Sequence, residues 1–127
     1  MIVVDASVIL DALLAGESAV AASLDSGEPV CAPHLLDVEI AQVLRRLAAA
    51  GSLPPGRAAE ALEALGVLPV LRYPHYQLLP RIWELRHSLT AYDAAYVALA
   101  ESLDAVLVTR DRRMASAHGH RARVKLV

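Results

Sequence analysis

A chain of 127 residues that is 56% hydrophobic and lacks phenylalanine is long enough to bury one core, is expected to form a single domain over 1–127, and is not a disordered polymer. Its formal net charge of −2 and pI near 6.2 exclude a protein that grips nucleic acid through a broad basic face, so any polyanion must be met locally. Cys31 is the only cysteine, which excludes an intramolecular disulfide and a cysteine-rich zinc site, and makes a reducing cytoplasm the expected compartment.

The chain opens MIVVDASVIL. Ile2–Val4 reads as an apolar, β-branched strand, and Asp5 interrupts it before the apolar run resumes at Val8. This segment has no basic region and no small-residue cleavage pattern, so it is not read as a signal peptide. No apolar run approaches the roughly 18 residues of a membrane span, and no membrane partner is expected. Further strand-like runs at Val30–Ala32, Val67–Leu71, Ala105–Thr109 and Val124–Val127 alternate with helical patterning. That alternation predicts an α/β fold whose central sheet, of about five short strands, is mostly parallel and flanked by helices.

Between these strands, Leu36, Ile40, Val43, Leu44 and Leu47 fall on one helical face, with Glu39 at its margin. Asp37, on the opposite margin, is expected to be an exposed first-turn acid. Gly51-Ser-Leu-Pro-Pro-Gly56 breaks the helix and Ala58–Leu65 restarts one. Tyr73-Pro74 marks a turn before a helical pattern over His75–Ser88, which Pro80 is expected to kink or divide. Tyr92, Tyr96, Leu99 and Leu103 then predict a second amphipathic helix, beginning at Thr90.

Asp111 follows its apolar run much as Asp5 follows Ile-Val-Val. In open α/β sheets functional groups gather beyond the carboxyl ends of strands, which is where both acids stand. Each also suits the N-cap of a following helix, and Thr90 with Asp93 fits a capping box. If Asp5, Glu39, Asp93 and Asp111 do converge, they repel one another unless a proton or a cation joins them. Oxygen ligands without cysteine favour Mg²⁺ or Mn²⁺, which bridges carboxylates to phosphate and activates water for phosphodiester cleavage.

Taken together, VVDASVIL, PHLLDVEIAQVLRRL, LTAYDAAYVALAESL and AVLVTRDRRMA make the chain similar to the PIN-domain ribonucleases, and among them to the VapC-type toxins of bacterial toxin–antitoxin pairs. The resemblance spans almost the whole chain and implies a three-layer PIN-like fold. It assigns Asp5, Glu39, Asp93 and Asp111 to an acidic site that holds Mg²⁺ or Mn²⁺ and a water attacking RNA, with Ser7 and Thr109 in support. It implies two partners besides RNA: a small VapB-type antitoxin whose tail covers the site, and a second copy of the chain in a homodimer. On this reading Asp5 interrupts an apolar run because the strand ends at the site.

Arg110, Arg112 and Arg113 surround one proposed ligand and would supply local affinity for phosphate, although ordinary surface arginines fit the same pattern. The basic tail from His118 to Lys125 suits either RNA contact or a solvated strand edge, and His118 with His120 does not make a metal site. Phosphatases with an aspartate nucleophile need an acid two residues on, where Ser7 stands, and a nearby lysine, whereas Lys125 is the only lysine. A receiver-type signalling domain fails on that lysine and on its missing acidic pair. Two further alternatives are a partner-binding domain with little catalysis and a housekeeping nuclease. Which RNA is cut depends on the shape and charge of the groove rather than on the four acids.

Overall fold

The computed structural model describes residues 1–15 and 27–127. Ile2–Val4 forms β1, Ala6–Ala15 α1, Val30–Pro33 β2, Leu35–Ala49 α2, Pro55–Val67 α3 and Val70–Tyr73 β3. After a 3₁₀ turn at Tyr76–Leu78 come α4 (Leu79–Glu84), α5 (Ala91–Leu103), β4 (Val106–Thr109), α6 (Arg112–Ser116) and β5 (Val124–Leu126). The five strands make one sheet in the order β3-β2-β1-β4-β5, and every pairing in it is parallel. Where a mostly parallel sheet was expected, the described sheet is wholly so.

The register explains why the strands read as unbroken apolar runs. Val3 lies between Cys31 of β2 and Leu107 of β4, and all three are fully buried. A strand covered on both faces cannot alternate apolar with polar residues. Right-handed crossovers put α1, α2 and α3 on one face, where α1 packs against α2 and α3. They put α4, α5 and α6 on the other, where α5 packs against α4, β1, β2 and β4. Between β1 and β4 the direction of winding reverses, and crevices open at such switch points.

Three local expectations are corrected. The third strand runs Val70–Tyr73 rather than Val67–Leu71, because Val67 still belongs to α3. Pro69 forces the break: Leu68 before it is held extended, at φ −65° and ψ 136°. The second amphipathic helix is instead buried on every side from Ala94 to Ala100, while Tyr92 is 66% exposed. Asp37 is not a free surface acid: Arg72 of β3 forks onto it, with Nη2 3.0 Å from Oδ1 and Nε 3.2 Å from Oδ2. Pro80 does divide its segment, sitting in the first turn of α4, where its missing N–H costs no helical bond.

The carboxylate of Glu101 on α5 is buried and ties down two segments. It accepts from Arg81 of α4 at 2.8 and 3.0 Å and from the Arg121 backbone N–H at 3.0 Å. These bonds outweigh burial and hold Glu101 below its ordinary pKa. Among the described residues no helix is long and apolar enough to cross a membrane.

Candidate active site

β1 ends at Val4 and its next residue, Asp5, is only 4% exposed. Its carboxylate is held by donors from both sides of the switch point. Oδ1 accepts from the Ser7 hydroxyl at 2.5 Å and from the Val8 N–H at 3.3 Å. Oδ2 accepts from the hydroxyl of Thr109, the last residue of β4, at 2.5 Å. The same Thr109 oxygen accepts from the Asp111 N–H at 3.0 Å, and the Ser7 oxygen accepts from the Arg110 N–H at 3.2 Å. The ends of β1 and β4 are thereby stitched by side chains where the ladder stops.

Capping and the acidic site coexist. Asp5 receives the N–H of Val8 in the first turn of α1, and Asp111 caps α6 by accepting from the Arg113 N–H at 2.9 Å. Asp93 differs: Thr90 caps α5 by accepting the Asp93 N–H at 3.2 Å, so the Asp93 side chain is not needed for that bond.

The charges show which acids face one another. Burial raises the pKa of Asp93, and the neighbouring charges of Asp111 and Asp5 add to the rise, against the Thr90 hydroxyl and Arg113. Burial likewise raises Glu39, and Asp93 and Asp5 push it further, while a hydrogen bond from Tyr96 opposes them. That bond is 2.7 Å from the phenol to Glu39 Oε1. The Tyr96 phenol is itself pushed far up, chiefly by burial and by the charge of Glu39, so it stays protonated as the donor. Asp111 goes the other way: burial pulls it up, but hydrogen bonds and charge from Arg113 outweigh that and hold it below the ordinary value. Glu39, Asp93, Asp5 and Asp111 therefore form one electrostatically linked set.

Such a set suits a hard divalent cation, since every donor is oxygen and the raised acids gain from a positive charge. Among the described residues no three His, Cys, Asp or Glu side chains are gathered tightly enough to hold an ion as they stand. Each of Asp5, Glu39 and Asp111 is instead occupied by its own hydrogen-bond donors, and Arg113 supplies the positive charge at Asp111, 3.3 Å away. Binding an ion would draw these carboxylates closer together than they stand.

The three arginines are used unequally. Arg110 pairs with Asp11 of α1 and Arg113 with Asp111, while Arg112 is exposed and makes no ion pair among the described residues. Tyr96 is the site residue that sequence reading assigned to the core alone. Its signal was its place three residues after Asp93, on the same side of α5.

Known proteins resemble this chain closely. The family described as PIN domain matches residues 2–119. Ribonuclease VapC9 of Mycobacterium tuberculosis is 50% identical over 114 residues, covering 90% of this chain and 88% of the relative. Ribonuclease VapC1 of the same organism is 46% identical over 129 residues, covering 98% and 96%. In the crystal structure of VapBC2 from Rickettsia felis bound to a promoter DNA fragment, one chain superposes with a TM-score of 0.75 over 99% of this chain and 98% of its own length. At 12% identity that likeness speaks for the fold alone. With a family match over nearly its whole length and relatives about half identical to it, the chain belongs to the PIN-domain family, among the VapC ribonucleases.

Proposed function

We propose that this chain is an endoribonuclease, a hydrolase of RNA phosphodiester bonds, and that it serves as the toxin of a toxin–antitoxin pair with a VapB-type antitoxin as partner. The observation that carries the reading is the linked acidic set at the switch point between β1 and β4, with Asp93 and Glu39 raised by burial and by their neighbours' charge. Asp5, Asp93 and Asp111, with Glu39, would hold Mg²⁺ or Mn²⁺, which when bound neutralises phosphate charge and activates water. Ser7 and Thr109 fix the Asp5 carboxylate through both oxygens. Tyr96 holds Glu39 by Oε1, leaving Oε2 to take the proton of the attacking water. That role suits a carboxylate made more basic than usual. Arg110, Arg112 and Arg113 add affinity for the RNA backbone, two copies of the domain spanning 1–127 pair to frame the RNA, and the protein works in the cytoplasm.

The test is incubation of total RNA with purified protein, with Mg²⁺, with Mn²⁺ and with EDTA, followed by mapping of the new ends. Discrete cuts that need the cation and vanish in Asp5→Asn are expected. Uncut RNA from a folded, cation-loaded protein would leave partner binding as the better account. A short neighbouring reading frame for a DNA-binding protein separates a toxin from a housekeeping nuclease.

A further inference from the structure

Beside Asp93 lies a cavity of about 370 Å³ lined by Arg86, His87, Ser88, Thr90, Asp93 and Arg113. Apart from Asp93, its charged groups are cations, and Arg86 stands out among them. Arg81 on the preceding helix is consumed by Glu101, Glu84 and the Gly119 carbonyl, and Arg113 leans on Asp111. Arg86 makes no ion pair among the described residues. Its guanidinium lies 4.7 Å from the centre of the Trp83 ring and donates to the Trp83 carbonyl at 2.9 Å. These contacts hold its fork in place without neutralising it.

The segment that carries Arg86 is rigidly seated. Leu85 and Leu89 are buried, and the backbone between them closes on itself, with the Ser88 N–H at 3.0 Å and the Leu89 N–H at 3.1 Å from the Leu85 carbonyl. Arg86, His87 and Ser88 are left exposed on that closed turn. Three donor residues thus sit on one closed turn at one end of the cavity, with Arg86 held against Trp83, and Asp93 of the acidic set lines the other end.

We propose that this cavity is the subsite for the nucleotide next to the scissile phosphate, with Arg86 taking that nucleotide's phosphate and His87 and Ser88 donating to it. The inference rests on the RNA-cleaving reading above, and it makes the turn 86–88 a determinant of where along an RNA the chain sits. A guanidinium fork matches a phosphate in two parallel hydrogen bonds, which an ammonium does not.

The test uses the full chain and a fluorescein-labelled single-stranded RNA spanning a mapped cut, or an oligouridylate if no cut maps. Binding is read by anisotropy in EDTA so that the probe survives. Arg86→Ala should weaken binding roughly tenfold, as for loss of a charge-assisted hydrogen bond. It should also reduce the salt slope by about 0.7, the release from one single-stranded phosphate. Arg86→Lys should recover the slope but not the full affinity, and His87→Ala should cost several-fold. Arg46→Ala, which removes an exposed charge on α2, should change binding far less, and matching thermal unfolding midpoints establish that the variants fold. Native affinity and slope in Arg86→Ala, or a native chain that binds neither RNA, would overturn the subsite even if the protein cuts RNA. Binding that depends on Arg86 in a protein that cuts nothing would remove the nuclease reading and keep the cavity.

Discussion

Thr109 is the residue whose loss should be most instructive, because two bonds converge on its buried hydroxyl. It donates to Asp5 Oδ2 at 2.5 Å and accepts from the Asp111 N–H at 3.0 Å, with no solvent exposure to supply replacements. Thr109→Val keeps the shape and removes both. A hydrogen bond to a charged group contributes about 1.5–3 kcal/mol and a neutral one about 1 kcal/mol, and the added methyl returns about 1 kcal/mol. The net loss is about 1.5–3 kcal/mol. Unfolding entropy near 2.1 cal/mol/K per residue amounts to about 0.27 kcal/mol/K for this chain, so the midpoint should fall by about 6–11 °C. Thr109→Ser keeps both bonds and loses one methyl, about 1 kcal/mol and about 4 °C. Calorimetry of the metal-free proteins at neutral pH separates the two, and RNA cleavage by Thr109→Val should drop about 10–100-fold, as when a ligand's supporting bond is removed. A valine variant as stable as the serine variant would refute the idea that the hydroxyl, rather than the packing, joins the two strand ends.

Asp93→Asn should lower RNA cleavage by orders of magnitude while the metal-free midpoint holds or rises, since Thr90 keeps its cap and a repelling charge is gone; wild-type turnover in the same metal would sink the mechanism. The pH dependence has a definite sign. Asp93 and Glu39 have raised pKa values, so the stability they contribute is fully present below the ordinary carboxyl pKa and is lost as pH rises through their folded values. Asp111, held low, contributes in the opposite sense and loses its share on acidification. Metal-free melting scans should therefore fall less steeply with rising pH in Asp93→Asn, and an unchanged slope would argue that Asp93 does not feel its neighbours. Replacing Arg110, Arg112 and Arg113 by alanine should weaken RNA binding and flatten its salt dependence. Because Arg110 and Arg113 are already paired with acids, Arg112→Ala alone should account for most of that loss, and equal binding by the triple variant would mark all three as incidental. Light scattering at about tens of micromolar should return a dimer; a folded monomer would count against a shared RNA groove.

The acids and the sheet were legible for the same reason. Strands buried on both faces leave no polar residue to chance, so Asp5 and Asp111 stood out as soon as the apolar runs stopped. What escaped notice depended on how distant elements pack. Arg72 reaches Asp37 across 35 positions and Tyr96 reaches Glu39 across 57, and no local period announces either pair. The helix around Tyr96 was read as amphipathic from Tyr92, Tyr96, Leu99 and Leu103, yet Ala94, Ala95, Ala98 and Ala100 are buried as well. Alanine is equally at home on a wet or a dry face, and only packing decides. The third strand was misplaced because Val67 and Leu68 look strand-like, and Pro69 was not given its weight as a breaker of helix and ladder alike.

The bond from Thr109 to Asp5 joins positions 104 apart, and β4 is the neighbour that encloses β1 on one side. A ribosome delivers Asp5 104 residues before Thr109, so β1 waits through that interval with one edge open and its aspartate without its partner across the sheet. Pairings this remote along the chain form late, after the entropy of closing a long loop has been met. No nascent fragment that ends before Val106 holds Asp111 or the strand that fixes Asp5. A protein of the VapC ribonucleases is made on RNA, by a machine built of RNA, and this topology keeps its acidic cluster incomplete until Thr109 and Asp111 have been added to the chain.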